Sequence, residues 1–174
     1  MRIKKKCGII FYIIGLSGCG KSTIGKLIKK EIEKKYGKTI LIHGDKIRSI
    51  YNFHNYKKEY RLKLGKSNSN LCKLLANQGI NVIFTTVGLI HELQQYNKLN
   101  LKNYVEIYIK SNIKILLKKK KKKFYKYKTN FVWGVDMRPE FPKKPNIILN
   151  NDFKTSLKKM SLILLKKLFL KIKF

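Results

Sequence analysis

The chain has 174 residues, enough to bury the core of one ordinary domain without disulfide or metal staples. Its formal charge is +32, from 41 Lys and Arg against 9 Asp and Glu, which raises a polyanion such as nucleic acid as partner. Lysine carries nearly all of that charge in a chain also crowded with Ile, Asn, Tyr and Phe, the residue set of a genome rich in A and T, and no nucleic-acid-binding signature accompanies it, so nucleic acid is not expected.

No apolar stretch reaches the roughly 18 residues of a membrane span. Cys7, Cys19 and Cys72 lack C-x-x-C spacing, which argues against a disulfide framework or a zinc site and fits a reducing cytoplasm. The amino terminus, MRIKKK before an apolar run, imitates a signal peptide. Cleavage there would destroy the loop that follows, and the segment is read as part of the fold.

That run, CGIIFYII from Cys7 to Ile14, is apolar throughout and rich in β-branched and aromatic residues, as in a strand buried on both faces of a parallel sheet. Gly15 to Thr23, GLSGCGKST, then fits G-x-x-x-x-G-K-[ST], and Ile24, Leu27, Ile28 and Ile32 recur beyond it at helical spacing. A phosphate-binding loop needs this context. Its amides and the following helix dipole hold an anion, Lys21 reaches the β and γ phosphates, and the Ser22 hydroxyl takes one position on Mg²⁺. The loop residues Gly15, Ser17, Gly18, Cys19, Gly20, Lys21, Ser22 and Thr23 are therefore candidate ATP ligands, Ser22 the candidate metal ligand, and Lys21 a candidate catalytic residue.

The first helix runs from about Ser22 to Tyr36 and stops at Gly37. KTILIHGD is a second strand with Asp45 at its carboxyl end, where parallel α/β sheets bind ligands. Asp45 and Arg48, three apart, share a face if a helix begins there, so that a carboxylate orients an acceptor hydroxyl while a guanidinium grips an acceptor anion; a surface ion pair at a helix start is the plainer alternative. In a chain whose cations are mostly lysine, the few arginines, Arg2, Arg48, Arg61 and Arg138, mark places where a planar two-pronged donor is needed.

A polar and aromatic segment, Tyr51 to Tyr60, precedes a helix from about Arg61 through Ala76 that closes at Gly79. INVIFTTV is a third strand, residues 91 to 103 are helix or loop, and Val105 to Lys110 is a fourth strand. A helix opening at Ser111 runs into six consecutive lysines, Lys118 to Lys123, which are either a solvated charge run or a cationic lid over nucleotide phosphates. PEFPKKP holds all three prolines and is extended. Asn146 to Asn150 is a last short strand. A closing helix over about residues 153–172, capped by Asp152 or Thr155, packs on the sheet in preference to lying on a membrane. The alternation of strand and helix gives an α/β fold with a parallel sheet between helices.

Taken together, these motifs resemble the adenylylsulfate kinases over residues 9 to 150. The likeness rests on GLSGCGKST, on LIHGDKIR where the family reads LDGD-x-[VI]-R, on LCKLLANQGINVI and YVEIYIK, and on GVDMRPEFPKKPN, which is similar to GID-x-x-YE-x-P-x-x-P. The resemblance implies a three-layer P-loop NTPase fold in one domain spanning 1–174, with ATP and Mg²⁺ as cofactors. It also implies transfer of the γ-phosphoryl to the 3′-hydroxyl of adenosine 5′-phosphosulfate, and a homodimer in many members. On the acceptor side it implies Asp45 beside the hydroxyl or the metal, Arg48 and Arg61 on the acceptor's anionic group, Tyr56 stacked on its base, and either Phe131 or Trp133 on the opposite face.

The sequence departs from the family at His43 for a carboxylate, at Leu64, Lys66 and Ser67 after Arg61, at Gly88, Leu89 and Gln94, and in a reduced lid. These departures fall on the acceptor side. They keep open a related kinase acting on another modified nucleotide or sugar nucleotide in surface polysaccharide assembly, and, from another class, an inactive relative that binds nucleotides or polyanions.

Overall fold

The computed structural model describes residues 7–119 and 130–172. The lid reading of the lysine run, placed at about 118–130, lies outside the described residues from 120 to 129. In chain order the elements are β1 (Ile10–Ile14), α1 (Lys21–Tyr36), β2 (Thr39–His43), α2 (Gly44–Ile50), α3 (Lys58–Asn77), β3 (Asn81–Thr85), α4 (His91–Asn100), β4 (Tyr104–Ser111), α5 (Ile113–Lys119), β5 (Ile147–Asn151) and α6 (Leu157–Lys171).

The strands pair in the order β2-β3-β1-β4-β5, every pairing parallel. Because side chains alternate along a strand, β1 feeds two cores at once. Ile9, Phe11 and Ile13 join Ile24, Ile28 and Ile32 of α1 and Met160, Leu164 and Leu168 of α6 on one face. Ile10, Tyr12 and Ile14 join Cys72 and Ala76 of α3 and Leu93 of α4 on the other. Burial of both faces is why that strand shows no apolar–polar alternation, and the expected three-layer α/β architecture with a parallel sheet is the one observed.

Two boundaries moved and one ambiguity closed. Helix α3 begins at Lys58, ahead of Arg61, so Arg61 sits in its first turn. Residues 91–100 are helix, with the Glu140 carboxylate accepting the His91 amide at 2.6 Å at its start. Helix α6 begins later than expected, and its cap is Ser156, whose hydroxyl accepts the Lys159 amide at 3.2 Å, not Asp152 or Thr155. Asp152 is occupied in a tight turn, accepting the Lys154 amide at 2.9 Å, and Phe153 is held at φ 66° by the Asn151 side chain, which accepts its amide. The turn ends before a helix can start. Met160, Leu164, Leu165 and Leu168 then bury one face of α6 on the sheet, as expected of a packed closing helix.

Candidate active site

The phosphate loop sits where β1 ends and α1 begins. Its glycines are required by close approach: a Cβ at Gly15 would lie 2.6 Å from the Ile109 carbonyl oxygen, and one at Gly20, where φ is 98°, would lie 2.7 Å from Leu157. The Lys21 ammonium donates to the Leu16 carbonyl at 2.7 Å, across its own loop. Cys19 is fully buried with its side chain in the α1–α6 core; its Sγ accepts from the Lys21 ammonium at 3.8 Å and its carbonyl from Asn151 Nδ2 at 2.9 Å.

Two cavities meet beside this loop. One, of about 430 Å³, is lined by Ser17, Gly18, Gly20, Lys21, Ser22 and Thr23, by His43 and Asp45, and by Asn151, Phe153, Thr155, Ser156 and Leu157. The other, of about 410 Å³, is lined by Asp45, Arg48, Tyr56, Arg61, Phe131 and Trp133. Ser17, Asp45, Thr86 and Val87 border both. Thus all six candidate acceptor residues gather in one cavity, and of the candidate loop residues only Gly15 and Cys19 line neither. Asp45 stands at the junction, exposed in the first turn of α2.

The acceptor cavity is organised around Arg61. Its Nε donates to the Tyr56 carbonyl and its Nη2 to the Phe131 carbonyl, both at 2.6 Å. Its guanidinium carbon lies 5.2 Å from the Tyr56 ring centre and 5.6 Å from that of Trp133. Arg48 covers Tyr56 at 4.9 Å. Burial, with the neighbouring Arg48 adding to it, brings the Arg61 pKa down to about 10. The forked geometry is what a lysine lacks, and here the fork ties two chain segments, Tyr56 and Phe131, into one pocket wall. The Asp136 carboxylate accepts the amides of Phe131 and Val132 and holds Phe131 at φ 63°. Of the two candidate stacking aromatics, Phe131 is 38 % exposed, whereas Trp133 is 5 % exposed and packed in the α3–α4 core.

His43 hydrogen-bonds Thr85 Oγ1 through Nδ1 at 2.8 Å. Burial first, then Lys26, pushes its pKa below the ordinary value against the pull of Asp45, so a neutral imidazole lines the donor cavity. The Ser22 hydroxyl and the Asp45 carboxylate line the same cavity, an oxygen set that suits a magnesium ion sharing phosphate oxygens and waters.

The other departures divide. Leu64 lines a small cavity of about 30 Å³ beside Arg48 and Arg61. Gln94 is buried and structural, donating to the Gly88 carbonyl at 3.1 Å and the Glu140 carbonyl at 2.9 Å. Lys66 pairs with Glu92 at 2.7 Å and Ser67 bonds back to the Lys63 carbonyl, and neither lines a cavity described above. Sequence reasoning missed Asn151, Phe153 and Thr155 of the donor cavity. Their place at the carboxyl end of β5, where parallel sheets bind ligands, was the signal that marked them.

The family model for adenylylsulphate kinase matches residues 7–150. A cytidine diphosphoramidate kinase of Campylobacter jejuni is 32% identical over 165 residues, covering 92% of this chain and 96% of its own. An adenylyl-sulfate kinase of Clostridium acetobutylicum is 32% identical over 152 residues, covering 84% and 76%. Among solved structures, the APS kinase of Mycobacterium tuberculosis in complex with AMPPNP and APS superposes with a TM-score of 0.83 at 19% identity, covering 94% of this chain and 98% of that one, a likeness of fold. The phosphate loop, the two cavities joined at Asp45 and these matches agree: the chain belongs to the adenylylsulphate kinase family and is an ATP-dependent phosphotransferase.

Proposed function

We propose that this chain transfers the γ-phosphoryl of MgATP to a ribose hydroxyl of a small anionic ribonucleotide in the cytoplasm, and that cytidine diphosphoramidate is its acceptor. The observation that carries the transfer is the meeting of the two cavities at Asp45, which lets one carboxylate face a donor phosphate and an acceptor hydroxyl together. The choice of acceptor is supported by the match to the Campylobacter kinase along nearly the whole of both chains. It is supported also by the departures at Leu64 and Gly88, which line the small cavity beside Arg48 and Arg61 and leave the phosphate loop intact.

In this reading the loop amides and Lys21 hold the β and γ phosphates, and Ser22 and Asp45 would hold Mg²⁺, which supplies charge neutralisation on the transferring group. Asp45 accepts a hydrogen bond from the attacking hydroxyl and aligns it. Tyr56, held beside Arg48 and Arg61, offers the base a stacking face, with Phe131 opposite. Arg48 and the remaining Arg61 donors meet the acceptor's anionic end. Because transfer by this route is mostly positioning, a misplaced acceptor loses rate as well as affinity.

A second reading keeps adenosine 5′-phosphosulfate as acceptor, favoured by the family match and the clostridial relative. An ADP-release assay with each acceptor separates them. Higher kcat/KM on cytidine diphosphoramidate is expected; higher kcat/KM on adenosine 5′-phosphosulfate overturns the choice of acceptor, and ADP release with neither overturns the proposal.

A further inference from the structure

Helix α6 buries one face on the sheet, but its other face is not an ordinary polar surface. Leu162, Ile163 and Leu170 stand outward, 60%, 40% and 69% exposed. Lys158, Lys159 and Lys166 surround them, Lys167 and Lys171 reach back to the Ile148 and Asn146 carbonyls at 3.1 and 2.7 Å, and the helix holds no acidic residue. The outward residues fall in pairs, 158–159, 162–163, 166–167 and 170–171, so the aliphatic and cationic side chains share one continuous stripe. The helix beside it, α1, adds exposed Leu27 and Lys26, Lys30, Lys34 and Lys35 against two exposed carboxylates, Glu31 and Glu33.

We propose that this α6 face docks on an anionic lipid bilayer, in the manner of a peripheral protein, as a surface separate from the active site. Charge complementarity selects the occupant: Lys158, Lys159 and Lys166, with no carboxylate on the helix, suit a surface of acidic headgroups, and each lysine strengthens attraction to such a surface about fivefold. The three aliphatic side chains select it over nucleic acid. They enter the headgroup boundary with gain, while lysine stems lie along the same apolar layer with their ammonium groups outward. A nucleic-acid site would instead use arginines or stacking aromatics, and this face presents no arginine, while Phe169 is turned inward against Tyr36. No helix among the described residues is long and apolar enough to cross the membrane, so attachment is to the surface. Docking leaves catalysis possible: the helix meets the donor cavity only at its first residue, Leu157, and Leu170 lies about 20 Å further along the axis.

The test is co-sedimentation of the full chain with vesicles of phosphatidylglycerol and phosphatidylcholine, against vesicles of phosphatidylcholine alone. Binding to the anionic vesicles is expected, with at least about a tenfold loss in the Leu162→Ser/Ile163→Ser/Leu170→Ser variant. Retention of that variant on heparin should equal wild type. All three side chains are exposed, so the melting temperature should hold, and Lys158→Gln/Lys159→Gln/Lys166→Gln provides a second, electrostatic variant that should lose anionic-vesicle binding as well. Failure to bind anionic vesicles overturns the proposal. Vesicle binding unchanged by the serine variant, or a duplex DNA that binds more tightly than the vesicles, equally overturns it.

Discussion

Replacement of Arg61 by lysine keeps the charge and removes the fork. In the structure the guanidinium donates to two main-chain carbonyls, Tyr56 and Phe131, at 2.6 Å each, and those carbonyls belong to different segments of the pocket wall. An ammonium on a single flexible stem can bridge to one of them, so one charge-assisted hydrogen bond is lost, about 1.5–3 kcal/mol before solvent is considered. The planar contact with Tyr56 and Trp133 weakens too, by about 0.5–1 kcal/mol. Because both hydrogen bonds are open to solvent, about half of that sum is realised, and about 1–2 kcal/mol corresponds to a fall of roughly 5- to 30-fold in kcat/KM for the acceptor. The KM for ATP should stay within about twofold, since none of the donor cavity is built on Arg61. Trp133 is the only tryptophan in the chain and lies beneath the guanidinium, so its emission should shift to the red in the variant. Steady-state ADP release with each substrate varied, together with the emission spectrum, measures all three. An acceptor kcat/KM within threefold of wild type, or an equal rise in the ATP KM, would refute the role assigned to the fork.

Lys21→Ala should lower kcat by at least about 10³-fold with the melting temperature nearly unchanged, because the ammonium's protein hydrogen bonds, to the Leu16 carbonyl and the Cys19 sulfur, stay within its own loop; single-turnover kinetics and calorimetry check both. Gly88→Ala places a methyl 2.6 Å from Ile14 Cγ2 at a φ of 58°, and should cost about 2–4 kcal/mol in urea unfolding. Glu106 is fully buried, and burial raises its carboxyl pKa against the pull of Lys98. The folded state therefore holds that proton more tightly than the unfolded one, and the carboxyl's contribution to stability declines as pH rises from its ordinary value near 4.5 through the raised folded value. Relative to wild type, Glu106→Gln should gain stability across that rise, and thermal melts from pH 4 to 8 that show the reverse trend would sink the argument.

The donor half of the site was legible because it is contiguous. Strand, loop and helix follow one another from Ile10 to Tyr36, and the spacing of two glycines and a lysine carries the geometry with it. The Asp45–Arg48 pair was legible for the same reason, lying one turn past the end of β2. What stayed out of reach depends on the sheet. Asn151 and Phe153 enter the donor cavity only because β5 lies parallel beside β4, a pairing that no local pattern announces. The Ser156 cap was hidden behind two other candidates, Asp152 and Thr155, and Asp152 spends its carboxylate on a turn. Which of Phe131 and Trp133 is exposed and which is packed in the core needed burial, which the sequence around Gly134 does not encode.

That contrast bears on where specificity can change within such a fold. In the phosphate loop a methyl group at Gly15 would collide with the Ile109 carbonyl, and Gly20 holds a φ of 98° that side chains rarely adopt, so the backbone path itself resists substitution. The acceptor wall is different in kind: Tyr56 and Phe131 are solvent-facing side chains on segments joined through Arg61, and exchanging them removes no core contact. Surface substitutions away from buried networks alter stability by about half a kcal/mol. A pocket built this way can be recut for a different base or a different terminal anion without disturbing β1, the loop and α1, and of the departures among the described residues only His43 lines the cavity of the loop.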